Sequence, residues 1–188
     1  MGRPRSEQVH RAILGAALEL LATDGYGRVT MEGVAERAGV SKQTIYRWWR
    51  SPAEVLMEAL NERAAELVAG RDLGSLERNL RGFLRRTVAA LHGGLAPLVG
   101  GLMAESQRDP QFAGVFREQF LARRRAALRE LLEQGVERGE VAAGVDLELL
   151  VDVAFGTVWY RLLSGHAPLS RRFADRLADA LLALAAGS

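Results

Sequence analysis

Apolar residues along this chain recur at intervals of three and four, with polar residues filling the gaps. Ile13, Ala17, Leu20 and Leu21 form one such stripe. With Ser6 as N-cap it predicts a first helix from about Glu7 to Thr23, ended by Asp24-Gly25-Tyr26-Gly27. A shorter stripe, Met31, Val34, Ala35 and Ala38, starts after Thr30, a good N-cap, and stops at Gly39. Glycine there suits the left-handed residue that ends a helix. Ser41 caps the next element, in which Ile45, Trp48 and Trp49 stand at i, i+3 and i+4 and can be buried together. Lys42 with Tyr46, and Gln43 with Arg47, pair at i, i+4 on the opposite side.

Further helices follow by the same reasoning. Ser51-Pro52-Ala53-Glu54 is a capping box with proline at the first helical position, a strong start for a fourth, connector-length helix reaching about Gly70. After the break Arg71 to Ser75, a fifth helix is expected from about Leu76 to Leu91. His92 to Pro97 breaks the chain again, and a shorter sixth helix runs to about Gln107. Asp109-Pro110 opens a long seventh helix to about Arg138, and Gly139 to Val145 is a loop. Asp146 caps an eighth helix ending near Ser164, and Pro168 to Ser170 opens the last. No segment shows sustained period-two alternation, so the expected class is all-α with about nine helices.

At 188 residues the chain can hold one large or two small domains. The division expected is a three-helix helix-turn-helix domain over residues 1–50 and a larger helical bundle over 51–188. Cysteine is absent, which excludes disulfides and thiolate metal sites. No signal-peptide core and no charge-free apolar run of membrane-spanning length is evident, so a cytoplasmic protein without a membrane partner is expected. The net charge is only +2, but its distribution is informative. Residues 1–50 carry eight Lys or Arg against five Asp or Glu, whereas 51–188 carry seventeen against eighteen. The positive potential therefore accompanies the helix-turn-helix, where phosphate contacts would be made.

Two short capped helices joined by a tight turn, the second with groove-reaching polar residues on one face, read as a helix-turn-helix that docks in the DNA major groove. The competing reading is a helical hairpin whose polar face is merely solvated. Lys42 is the chain's single lysine and heads the reading helix; a DNA contact and a neutral surface position are the two readings. Gln43 suits adenine and Arg47 guanine or a phosphate, and the sequence does not choose between base and backbone for either. Gly2-Arg3-Pro4-Arg5 reads equally as a basic arm for DNA or as a disordered terminus. Arg123-Arg124-Arg125 lies within a long helix, where successive residues spread around the axis, and reads as solvated or salt-bridged surface.

The chain resembles the TetR family of bacterial transcriptional regulators. The resemblance lies in Ala12, Ala16-Ala17, Leu20, Gly25-Tyr26, Val29-Thr30-Met31, Val34-Ala35, Ala38-Gly39-Val40-Ser41, Thr44-Ile45-Tyr46, Trp49 and Leu56. Weaker matches follow at Ala104-Glu105 to Asp109-Pro110, Arg138-Gly139-Glu140 and Trp159-Tyr160-Arg161-Leu162. The resemblance implies that Thr30 meets a phosphate, that Lys42, Gln43 and Thr44 approach base edges or phosphates behind the Ser41 cap, that Tyr46 bonds a phosphate, and that Trp48 lies near the backbone. Ile45 and Trp49 would be core. One departure is Pro52, where the family often carries a phosphate-adjoining lysine.

The implied partners are a double-stranded operator, a second copy of the chain and a small-molecule effector. One short recognition helix reads too few base pairs for useful specificity, so a two-fold dimer on a palindromic site is expected. As the resemblance implies, its surface would come from the last two helices, where Val151, Ala154, Phe155, Val158, Leu162 and Leu163, then Leu177, Ala180, Leu181 and Leu184, give more apolar surface than one side needs, with Gly156 allowing close approach; ordinary buried core is the alternative for each residue. Phe83, Leu84, Thr87, Met103, Phe112, Phe116, Phe120, Phe155, Trp159 and Tyr160 are candidates for an apolar effector pocket, each with plain core as its alternative. Three scattered histidines, no HExxH and no Gly-rich phosphate loop argue against an enzyme, so no catalytic residue, cofactor or metal is expected. His92 and His166 read as loop residues. The function expected is a ligand-responsive regulator, a repressor released from its operator by an effector.

Overall fold

The fold was analysed in a computed structural model that describes residues 3–68 and 72–187, with side chains for 7–63 and 72–187. Among them every regular element is helical. In order they are α1 (Arg3–Asp24), a 3-10 turn (Tyr26–Arg28), α2 (Met31–Ala38), α3 (Lys42–Tyr46), α4 (Pro52–Val68) and α5 (Leu76–Ala90). A π turn (Leu91–Leu95) precedes α6 (Ala96–Arg108). Next, α7 (Pro110–Phe116) passes through a second π turn (Arg117–Leu121) into α8 (Ala122–Glu137), and α9 (Leu147–Ser164) and α10 (Arg171–Ala185) follow. The all-α class is as expected, and because α7 and α8 form the single long helix foreseen, so is the helix count.

Most boundaries follow from caps. Thr30, Ser41, Ser75, Asp109, Asp146 and Ser170 each sit in extended backbone and accept a backbone N–H two or three residues on, worth about 1 kcal/mol apiece. At the first helix the expectation fails: α1 begins at Arg3, so Ser6 lies inside it rather than capping it. Arg3, Pro4 and Arg5 of the foreseen basic arm belong to this helix, while Gly2 and the arginine side chains lie outside the described residues. Gly70 and Arg71, where the fourth helix was expected to end, also lie outside them. Leu76–Arg108 contains a stretch long and apolar enough to cross a membrane by length and composition. Gly93 and Gly94 leave helical geometry within it, Gly94 at φ 108°, so α5 and α6 are separate rods.

Two compact units result. The first combines Met1–Ala64 with Pro97–Gln119, and the second combines Ala65–Ala96 with Phe120–Ser188. This division by packing is a different cut from the division by motif at residue 50.

In the first unit, α1 offers Ile13, Ala17 and Leu21, α2 offers Val34, and Ile45 and Trp49 close the cluster; all are buried. Those are the core positions that the helical spacing predicts. Leu98 and Leu102 of α6 and Phe112 and Phe116 of α7 are also buried.

In the second unit, α5 packs on α8 and α10 through Leu80, Leu84, Leu128, Leu132, Leu177 and Leu181. Ion pairs rim this core: Arg81 to Asp179 at 2.6 Å and Arg85 to Asp175 at 2.5 Å join α5 to α10. Arg125 reaches Glu148 and Asp152 on α9, and Arg129 also reaches Glu148. Val151, Ala154, Phe155 and Val158, foreseen on a dimer surface, are buried inside the protomer, as are Leu177 and Leu181. The apolar residues left outside are Leu149, Tyr160, Leu163 and Leu184, exposed by 50 % or more. Tyr160, foreseen in the pocket, instead stacks in the open against His166, 4.7 Å away.

Candidate nucleic-acid interface

The turn between α2 and α3 is built by three residues. Thr30 accepts from the Gly33 N–H at 3.0 Å and fixes where α2 starts. Gly39 ends it at φ 66°, a left-handed conformation costly for residues with a Cβ. Ser41 then accepts from the Thr44 N–H at 3.3 Å and shares a 2.9 Å hydrogen bond with the Thr44 hydroxyl. Ser41 and Thr44 are therefore first of all the brace of the recognition helix.

With Ile45 buried at 0 % exposure, the rest of that short helix faces outward. Lys42, Gln43, Tyr46 and Arg47 are all exposed, Tyr46 by 50 %. Lys42 Nζ lies 3.1 Å from Glu32 of α2, and that hydrogen bond is the main cause holding the Glu32 carboxyl below its ordinary pKa. The chain's one lysine is thus held across the turn by a carboxylate. Arg47 lies over the half-buried Trp48 ring, 5.4 Å from its centroid.

Behind this surface, Glu58 of α4 accepts from Trp49 Nε1 at 2.5 Å and bonds His10 of α1 at 2.8 Å. The His10 ring lies 5.7 Å from Trp48 and 5.3 Å from Trp49. One carboxylate therefore ties the first helix, the end of the recognition helix and the connector. The sequence reading missed it, although Trp49 and Glu58 fall near each other wherever a helix follows directly on Pro52.

Tyr26 supplies a second tie within the same unit. Its ring rests on Gly101 so closely that a Cβ there would lie 2.1 Å from the ring. Burial, then the nearby Glu105, raises the Tyr26 hydroxyl above its ordinary pKa.

Of the pocket candidates, Phe83, Thr87, Phe120, Phe155 and Trp159 belong to the second unit, and Met103 and Phe116 to the first. The structure gathers Phe83, Thr87, Phe120 and Phe155 around one side chain, Arg124, which is only 7 % exposed. Trp159 continues the cluster, 5.9 Å from Phe155. The surface reading of the Arg123–Arg125 run is correct for Arg123, which is exposed, and for Arg125, which is salt-bridged, but wrong for Arg124. The signal was in the register: Phe120, Arg124, Leu128 and Leu131 form one stripe, with arginine in an apolar slot. A cleft of about 660 Å³ elsewhere in this unit is lined by Arg85, Arg86, Val88, Ala89, His92 and Pro168 to Arg171, and by none of the foreseen pocket residues. No group of three or more metal-ligating side chains occurs among the described residues.

A short, capped, outward-facing helix set after a left-handed glycine and followed by a helical bundle defines a DNA-binding regulator of the helix-turn-helix class. Residues 13–59 match the family described as bacterial regulatory proteins, tetR family, and residues 71–181 match the tetracyclin repressor-like C-terminal domain. The chain belongs to the TetR family of transcriptional regulators. It is 36 % identical over 162 residues to the uncharacterized HTH-type transcriptional regulator YdeS of Bacillus subtilis, covering 86 % of this chain and 82 % of that one. It is 35 % identical to the DNA-binding transcriptional repressor TetR of Mycobacteroides abscessus over 182 residues, 95 % and 94 % of the two chains. The crystal structure of the TetR family transcription regulator SCO0332 superposes with a TM-score of 0.77 at 31 % identity, covering 94 % of this chain and 97 % of that one.

Proposed function

We propose that this regulator is a ligand-responsive repressor in the cytoplasm that binds a palindromic operator as a homodimer and leaves it when a small molecule binds its C-terminal domain. The observation that carries the DNA part is the outward polar face of α3, built on the buried Ile45 and on the Ser41 cap. Lys42 and Arg47 neutralise phosphates or reach guanine, Gln43 reads a base edge, and Tyr46 donates its hydroxyl to a phosphate. Thr30, whose oxygen accepts within the turn, keeps a hydroxyl proton to give, and between them Ser41 and Thr44, which share one hydrogen bond, keep another. Trp48 packs beside the sugar-phosphate chain. Division of labour follows the motif, with residues 1–50 reading DNA and 51–188 assembling the dimer and binding the effector.

Two-fold pairing is supported by the apolar residues that α9 and α10 leave outside: Leu149, Tyr160, Leu163 and Leu184. Gly156 lies on this outer side of α9 with no neighbouring atom within 4 Å of a Cβ, so a partner helix can come close. Effector binding is supported by the buried aromatic cluster of Phe83, Phe120 and Phe155 around Arg124, with Thr87 as a further polar group beside it. The repressor role is supported by the similarity to the Mycobacteroides abscessus repressor. An effector that favours a state with α4 displaced would disturb the Glu58 tie to Trp49 and change the spacing of the two recognition helices. A coupling of about 1–3 kcal/mol releases the operator 5- to 150-fold.

Selection of binding sites from random duplex DNA, followed by footprinting, tests the proposal. Two half-sites related by two-fold symmetry, their centres about one helical turn of ~10 bp apart or a multiple of it, are expected. Recovery of no sequence, or of a single unpaired site, would overturn it.

A further inference from the structure

Arg124 is a buried cation without a counter-ion. Its guanidinium donates to Thr87 Oγ1 at 2.8 Å, and no ion pair to it occurs among the described residues. Around it stand the rings of Phe83 and Phe120 at 5.8 Å and Phe155 at 5.9 Å. Elsewhere in this unit Arg81 is paired with Asp179, Arg85 with Asp175, Arg125 with Glu148 and Asp152, and Arg138 with Asp72.

A guanidinium taken out of water costs several kcal/mol, which ring faces and one hydroxyl return only in part, and a methionine or leucine would fill the space at no such cost. Burial alone lowers its pKa to about 10, so it is still charged at neutral pH. The side chain also lies in the first turn of α8, close to the π turn at Arg117–Leu121, an irregularity that tends to occur where a helix serves a site. What the described residues do not supply to this guanidinium is a negative charge.

We infer that Arg124 receives the oxyanion head of the effector, so that the regulator responds to small amphipathic anions: a carboxylate or phosphate on an apolar body that packs against Phe83, Phe120 and Phe155. Thr87 is the positioning residue, because its hydroxyl fixes one edge of the guanidinium and leaves the other to meet two oxygens side by side. This inference rests on the ligand-responsive reading given above and names the chemistry of its ligand.

The test uses the full-length protein in thermal unfolding and in operator release. Octanoate and 4-phenylbutyrate form one arm, octyl phosphate the second, and octanol and 4-phenylbutanol the neutral third. Saturable stabilisation and operator release by the first or second arm, and not by the third, is expected, and the arm that acts identifies the head group. In Arg124→Met the affinity for the active anion falls about tenfold to a hundredfold, the loss of one charge-assisted hydrogen-bonded contact. The same variant without ligand unfolds at a higher temperature than the parent protein. Arg124→Gln, which can keep the bond to Thr87, gives the same loss of anion affinity should the methionine variant fold poorly. Equal binding of anions by these variants, or no shift by either anion, overturns the inference. Release of the operator by neutral compounds alone also overturns it, while leaving the ligand-responsive reading standing.

Discussion

At the scale of single residues, a few positions are defined by close neighbours. Gly101 is one, because the Tyr26 ring occupies the place of its missing Cβ. Gly101→Ala must push that ring out of its buried seat, an overpacking that costs about 1–3 kcal/mol. Denaturant unfolding measures the loss, and an unchanged midpoint would show that the ring moves freely. Arg124 is another. Its burial was legible in the spacing Phe120, Arg124, Leu128, yet three successive arginines suggest a surface, and the residue type outweighed the register. Lys42 was picked out by being the single lysine; that it is paired with Glu32 depends on the angle between two helices, which no one-dimensional pattern contains.

At the scale of elements, caps and periodicity reached far. Thr30, Ser41, Asp109, Asp146 and Ser170 start helices where the chain said they would. The first helix is the exception, because α1 propagates back to Arg3 through its foreseen cap, whereas Gly93 and Gly94 break the chain after His92 as expected. Between α8 and α9, Glu148 accepts from Arg125 first and Arg129 second, which lowers its pKa from the ordinary 4.5. A carboxylate whose pKa is lower folded than unfolded stabilises above the unfolded value, and that contribution disappears as pH falls through the folded one. Melting temperature should therefore drop more steeply for the parent protein than for Glu148→Gln between about pH 5 and pH 3. Parallel curves would mean that the bridge contributes nothing. Because the pair is largely exposed, the difference is small and greatest at low salt.

At the scale of the whole molecule, the all-α class and the helix-turn-helix were readable because both rest on local patterns. The packing units were not, since α6 and α7 join the N-terminal unit through contacts such as Tyr26 on Gly101 that are distant in sequence. Nor was the outer face of α9: apolar residues on two sides of one helix do not say which side is the inside. Leu149, Tyr160 and Leu163 are the ones left out, and they set the expected dimer surface. Leu163→Glu places a charge on that surface without touching the core. Sedimentation at micromolar concentration should show monomers in place of dimers, with operator affinity reduced along with them. A dimer as tight as the parent's would place the pairing surface elsewhere.

The central claim is that α3 reads DNA through its exposed polar face, and the salt dependence of operator affinity tests it most directly. For the parent protein, log affinity plotted against log salt gives a line whose slope counts the neutralised phosphates. Lys42→Ala should weaken binding and make the slope shallower by about one, and Tyr46→Ala should weaken it further at every salt concentration. If both variants hold the operator with the parent's affinity and slope, the surface assigned here to DNA does not touch it.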